Sequence, residues 1–421
     1  MQLTRALRHR NYRLFFSGQS ISLVGTWITR IATSWLVYRL TGSELLLGVV
    51  GFCGQIPTLV FAPFAGVLVD QWDRRRILVI TQVSSLLQSL ALGVLTLGHW
   101  VTVRDIVALQ TLQGIINAFD TPARQAFVVE MVEDRSDLAN AIALNSSMVN
   151  ASRIVGPSIG GVLIAAAGEG WCFMLDAVSY LFVIGSLLAM RVRRSALRRD
   201  TRLRAELRSG FDYVVRSVPI RTALIVLAIV SAMGMPYTVL MPVIAANVLH
   251  GGPNTLGLLM GATGVGALGG ALYLAGRKSI IGLGRVMMYA TLAFGAGLVA
   301  FAFTRQLPVA LAILVIVGAG FMVQMAATNT VLQTLVDDQM RGRVMAFYTM
   351  AFLGTAPIGS LLAGLLADRI GTAATIAIGG VACLLSGAWL AARLPALRTI
   401  VRPIYIQRGI LQAVETASAE P

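Results

Sequence analysis

Twelve apolar stretches, each about long enough to cross a bilayer, tile the 421-residue chain almost end to end. They fall at 14–38, 45–69, 77–98, 101–121, 139–167, 171–190, 220–246, 255–276, 285–303, 308–330, 343–367 and 372–392. The gaps between them are too short for a soluble domain. One crossing needs about 20 mostly apolar residues. Inside hydrocarbon every backbone polar group must be paired within its own segment, so the expected fold is an all-α integral membrane protein of 12 transmembrane helices. Composition agrees: 56% of residues are hydrophobic, 13% are charged, and mean hydropathy is +0.76. Soluble domains carry about 25% charged residues.

The net charge of +15 invites a nucleic-acid reading, but its distribution argues against one. Of the 34 basic residues, 33 are arginine. Twenty-eight lie in one set of alternate loops, four lie in the other, and Arg30 and Arg153 fall inside spans. This asymmetry puts both termini in the cytoplasm. No aromatic interleaving or base-reading motif accompanies the arginines, so nucleic acid is excluded as a partner. Arg5, Arg8, Arg10 and Arg13 precede a first apolar stretch that runs far past signal-peptide length, so it is expected to stay as the first helix. Cys53, Cys172 and Cys383 lack the spacing of a disulfide frame or a zinc site, and no metal or cofactor is expected.

The basic stretch 191–221 separates two halves with weak internal repetition. Met131-Val132-Glu133-Asp134-Arg135 precedes the fifth span, and Leu335-Val336-Asp337-Asp338-Gln339 precedes the eleventh. Each of those spans then carries a central proline, in Gly156-Pro157-Ser158-Ile159-Gly160 and Ala356-Pro357-Ile358-Gly359-Ser360. Repeats of this kind build transporters whose site lies between two bundles. The expected division is a six-helix bundle at 1–190, a cytoplasmic basic linker at 191–219, a second six-helix bundle at 220–392 and a polar, unstructured tail at 393–421. Six plus six spans with a basic central loop resemble the major facilitator superfamily.

Two motifs extend the resemblance. Gly66-Val67-Leu68-Val69-Asp70-Gln71-Trp72-Asp73-Arg74-Arg75-Arg76, after the second span, resembles the superfamily signature G-x-L-x-D-R-x-G-R-R. Gly66, Leu68, Asp70, Arg74 and Arg75 match. Gln71 replaces a usual basic residue, and Asp73 replaces glycine. Asp70 can bond a helix N-terminus across the halves, where the dipole favours an anion, with Arg124 as a further ion partner. Such a latch would stabilise the outward-facing state. Gly156-Pro157-Ser158-Ile159-Gly160-Gly161 is similar to the antiporter motif G-P-x-x-G-G. Its proline kinks the helix and its glycines allow close approach, giving a seam against proton leak. Asn117-Ala118-Phe119-Asp120-Thr121-Pro122-Ala123-Arg124-Gln125 resembles an exporter subgroup that includes enterobactin-type siderophore exporters and macrolide efflux proteins. The resemblance covers residues 8–392.

Charges inside spans are costly, so they should be paired or face a water-filled cavity. Asp176 is the one acid clearly within a span and is the candidate proton carrier, with Arg30 and Arg153 as countercharges and Asp120 as an alternative. Two arginines against so little acid lean towards an anionic cargo. Gln19, Gln55, Gln113, Asn117, Asn145, Asn150, Gln324, Asn329 and Tyr348 are candidates for a polar cavity, each also readable as an interhelical hydrogen bond. No phosphate-binding loop G-x-x-x-x-G-K-[ST] and no HExxH or GxSxG motif is present, which points away from an ATP-driven pump or an enzyme.

The expected function is proton-coupled export of a small organic molecule, a siderophore or drug, across a bacterial cytoplasmic membrane. The expected partners are that cargo, protons and lipid, with the chain acting as a monomer. Fold alone does not set direction, so uptake or lipid flipping stays open. So does a transport-inactive scaffold or sensor working through the 191–221 loop.

Overall fold

Short polar and glycine-containing segments cut the apolar sequence into helices. Gly42 ends the first helix with φ +61, and the Ser43 Oγ then accepts the Leu46 amide at 3.2 Å to start the second. Asp73 caps the third helix by accepting the Arg76 amide at 3.2 Å. This gives a local purpose to the residue that departs from the superfamily signature. Thr102 and Asp105 form a reciprocal capping box at the head of the fourth.

The computed structural model describes residues 5–132, 134–191, 203–277, 279–337 and 339–408, without the side chains at 62, 63, 66, 67, 70, 135 and 203–208. Gly66 and the Asp70 carboxylate of the expected latch, part of the linker and the end of the tail therefore lie outside it. The described helices are α1 (Arg10–Thr41), α2 (Glu44–Gln71), α3 (Arg74–Leu97), α4 (Val103–Met131), α5 (Leu138–Ala167) and α6 (Glu169–Ala189). After these come α7 (Leu203–Arg216), α8 (Val218–Val248), α9 (Pro253–Ala275) and α10 (Leu283–Phe303). The last three are α11 (Leu307–Leu335), α12 (Arg341–Ile370) and α13 (Thr372–Gln407).

Ten of these are long and apolar enough to cross a membrane. Helices α1 and α4 are as long but more polar, carrying Gln19, Thr26 and Arg30 in α1 and Gln110, Gln113, Asn117 and Asp120 in α4. The short α7 is the amphipathic part of the linker. Its Tyr213 hydroxyl lies 3.1 Å from an Asp337 carboxylate oxygen.

Helices α1–α6 pack on one another, chiefly α1 on α5 and α6, α3 on α4 and α6, and α2 on α4. Helices α9, α10, α11 and α13 pack likewise, with α8 against α13. The two sets meet where α5 lies on α9 and α2 lies on α12. Helix α8 is distorted around Pro236 and Pro242: Met235 donates its amide to Val230 and Leu249 to Ile244, each five residues back, at 3.0 and 2.9 Å. These wide turns absorb the bonds the prolines cannot make.

Helix α13 runs on to Gln407, past the expected end at 392. Leu397 and Tyr405 are buried in the extension, and Arg408 donates to the Val336 carbonyl at 2.9 Å. The first part of the expected tail is thus packed helix, because its apolar residues recur at helical spacing despite Pro395 and Pro403.

Where the two sets touch, glycine faces glycine. A Cβ built on Gly48 would lie 2.9 Å from the Gly364 Cα, and one on Gly364 would lie 2.9 Å from the Gly48 Cα. Gly161 and Gly257 repeat the arrangement at 2.9 and 3.0 Å. Both pairs sit toward the end of the molecule remote from the termini. The Tyr38 hydroxyl joins the sets there too, donating to Asn247 Oδ1 at 2.6 Å. Any larger residue must push the helices apart. Gly364→Val is expected to destabilise the protein by about 1–3 kcal/mol. The measurement is thermal unfolding in detergent, and an unchanged melting temperature would contradict the contact.

Candidate functional site

A cavity of about 350 Å³ lies between the two sets of helices. The two more polar helices, α1 and α4, supply much of its wall. From α1 come Thr26, Trp27, Arg30 and Thr33, one face at helical spacing; from α4 come Gln110, Gln113 and Asn117. Gln55 of α2, Arg153 and Pro157 of α5, and Tyr237 and Thr238 of α8 complete the polar part. Met260, Phe321 and Val239 give it apolar patches. The amides are partly tied down: Gln110 donates to Thr33 Oγ1 at 3.3 Å, and Gln113 donates to Ser85 Oγ and Asn117 Oδ1 at 3.2 Å each.

The helix-5 glycine motif positions the charged part of the wall. A Cβ on Gly156 would overlap the Trp27 Cβ, and one on Gly160 would lie 3.3 Å from the Ile28 Cα. So α5 presses on α1 through Gly156 and Gly160, while Gly161 meets α9. This close approach brings Arg153 beside Trp27. The Arg153 guanidinium stands 5.5 Å from the indole centroid and that of Arg30 stands 5.2 Å from it. Such stacking steadies a guanidinium through the ring face and leaves its in-plane N–H groups available. Among the described residues neither guanidinium has a carboxylate within 4.0 Å or a hydrogen-bond partner. Arg30 is exposed to the cavity space, although protein surrounds it.

Asp176 borders the same cavity from behind α1 and is 1% exposed. The Ser89 hydroxyl donates to it at 2.7 Å, and the Ser179 hydroxyl lies 3.4 Å from its other oxygen. Gly25 makes room for this: a Cβ there would lie 2.7 Å from Asp176 Oδ1 and 2.6 Å from Ser179 Oγ. In this state hydroxyls, rather than Arg30 or Arg153, satisfy the carboxylate.

Asp120 lies elsewhere, in the half of α4 nearer the termini. It accepts from Thr81 Oγ1 at 3.0 Å and Gln82 Nε2 at 2.8 Å, and Arg124 lies 3.3 Å away. Arg124 thus has a partner on its own helix. Arg74 pairs with Glu130, and Arg75 donates to the Leu188 carbonyl at 2.8 Å. These contacts knit the loop region of the expected latch to α4 and α6.

Of the polar candidates, Gln55, Gln113 and Asn117 line the cavity and Gln19, Asn145, Asn150, Gln324, Asn329 and Tyr348 do not. Asn150 bonds the Ser146 carbonyl, Gln324 bonds Thr328, Gln333 bonds Asn329, and the Tyr348 hydroxyl bonds the Met325 carbonyl. Sequence reading passed over Trp27, although its position three residues before Arg30 puts both on one helical face.

The Asp120 cluster is testable by itself. Asp120→Ala leaves the Arg124 guanidinium without its partner and is expected to cost about 3 kcal/mol. Asp120→Asn keeps an acceptor for Thr81 and Gln82 and is expected to cost less. Thermal unfolding compares them, and equal losses would contradict a role for the charge.

Residues 4–402 match the family profile described as transmembrane secretion effector. The chain is 29% identical over 375 residues to the staphyloferrin A transporter of Staphylococcus aureus, covering 88% of this chain and 93% of that one. It is 30% identical over 388 residues to the multidrug efflux pump Tap of Mycolicibacterium fortuitum, covering 89% and 93%. Macrolide efflux protein A of Streptococcus pyogenes is 24% identical over 387 residues, covering 86% and 92%. Among solved structures, the peptide transporter POT superposes with a TM-score of 0.73 at 14% identity, covering 92% of this chain and 94% of that one. A bacterial homolog of the lysosomal transporter Spinster superposes with 0.64 at 14%, covering 96% and 98%. These structures share the fold alone. The chain belongs to the transmembrane secretion effector family of the major facilitator superfamily, a family of multi-pass membrane transporters rather than enzymes.

Proposed function

We propose that the protein is a proton-coupled exporter of a small organic molecule, working by alternating access in a bacterial cytoplasmic membrane. Twelve helices act as two six-helix bundles, 1–190 and 220–392, with both termini in the cytoplasm. The observation that carries this reading is the cavity. It sets polar and charged groups into a largely apolar wall, lies between the two helix sets, and backs onto glycine pairs at the end remote from the termini. Charged and polar side chains facing a cavity inside an apolar bundle are costly unless a ligand or water uses them. Tight packing at the remote end supports an inward-facing state, from which cargo enters on the cytoplasmic side.

The direction rests on the efflux relatives and on the helix-5 motif, whose Gly156 and Gly160 press on α1 while Gly161 presses on α9. Siderophores and drugs, the cargo of the relatives by name, are the cargo classes to test. Asp176 carries the proton in this reading. It is buried, borders the cavity and is held only by neutral hydroxyl groups, so a change in helix packing can alter its protonation. The Asp70 loop works the cytoplasmic latch.

Purified protein in proteoliposomes with an internal pH dye tests the coupling against a panel of siderophores and drugs. Cargo-triggered proton movement is expected, and Asp176→Asn is expected to abolish it while the protein still folds. Movement that survives the substitution would make Asp176 structural. A companion variant, Asp70→Asn, is expected to stop cargo movement at normal expression, and full activity would rule out the latch.

A further inference from the structure

We infer that the cavity is built for an organic acid carrying two or more carboxylates, clamped by Arg30 and Arg153, which both stand against the Trp27 ring. The inference rests on reading this cavity as the cargo site.

Charge makes the first argument. Of the residues lining the cavity, Arg30, Arg153 and Asp176 are the ionised types. Asp176 is 1% exposed and already accepts a hydrogen bond from Ser89. The accessible wall is therefore cationic. Geometry makes the second. The two guanidiniums share one indole, at 5.2 and 5.5 Å from its centroid, and no acid among the described residues neutralises either. Two like charges so placed repel each other, and burial away from bulk water strengthens the repulsion. A ligand with a single negative charge offsets one of them. A ligand with two carboxylates offsets both, and each carboxylate can take a two-pronged hydrogen bond from a planar guanidinium.

The neutral wall fits the same cargo. Gln55, Gln110 and Asn117 can meet hydroxyl or amide groups on the acid's skeleton, and Phe321 and Met260 can cover its carbon chain. Gly156 is part of the device, since any side chain there would displace Trp27 and separate the two arginines.

Tricarballylate, its neutral trimethyl ester and inorganic phosphate are the probes, with binding to the purified full-length protein followed by calorimetry at low salt. Tricarballylate is expected to bind and the ester is not. Arg30→Gln and Arg153→Gln are each expected to weaken binding by roughly ten- to hundredfold, the worth of a charge-assisted hydrogen bond. Arg30→Lys, which keeps the charge but loses the fork, is expected to fall between. Equal binding of acid and ester by the unaltered protein overturns the inference and needs no variant. Binding of phosphate without tricarballylate also overturns it, in favour of a phosphate or lipid headgroup. If a macrolide still moves in proteoliposomes while tricarballylate fails to bind, the clamp is wrong and the transporter stands. Arginine-dependent tricarballylate binding in a protein that moves no cargo supports the clamp and removes the transporter reading.

Discussion

Two backbone contacts, Gly48 on Gly364 and Gly161 on Gly257, determine how closely the two sets of helices approach at the end remote from the termini. In lipid there is little hydrophobic drive between helices, so close backbone packing and a few hydrogen bonds must hold them. Each glycine here meets a Cα of its partner and, closer still, a carbonyl one turn away: Ser360 for Gly48 and Pro253 for Gly161. Nearby, Tyr38 reaches Asn247 across the same junction. The cavity follows from this arrangement, since helices held together at one end can diverge at the other.

The site depends on a second glycine effect. Gly156 and Gly160 let α5 settle on α1, and Gly25 lets α1 settle on α6. The first contact brings Arg153 to the Trp27 ring beside which Arg30 also stands; the second covers Asp176 and Ser179. Both contacts are made by α1, so one helix links the cationic cavity wall to the buried acid at the cavity's edge. Cargo and proton would then act on neighbouring parts of one cavity, both in contact with α1, giving a short physical path between them. The path is a packed helix with two neighbours, and it needs no long chain of intermediaries.

Much of the fold was legible because hydrocarbon permits so little else. Apolar runs of bilayer length and one basic linker pointed to helices whose bounds agree with the structure over most spans. The tail was misjudged at 393–407, where Leu397, Ile400 and Ile404 continue a helical face through two prolines. Close helix packing at the Gly156 motif was readable, but not its split between α1 and α9. Gly48 and Gly364 carried no motif, and their pairing depends on a fold-level alignment of α2 with α12. Arg30 and Arg153 stood out as charges in apolar spans, yet sequence could not reveal that Trp27 brings them together. Polar residues were harder. Gln55 and Asn117 reached the cavity and Gln324 and Tyr348 did not, since a one-position change on a helix turns a side chain by about 100°.

Alternating access requires the glycine-packed junction to open and close during transport. Spin labels at Leu40→Cys on α1 and Asn254→Cys on α9, in a background lacking Cys53, Cys172 and Cys383, span that junction from exposed positions. Pulsed electron–electron distance measurements in lipid nanodiscs would follow their separation with and without cargo across a range of pH. Alternating access predicts a short-distance population at rest and a second, longer one that grows with cargo or pH. A single distribution, unmoved by either, would contradict the account.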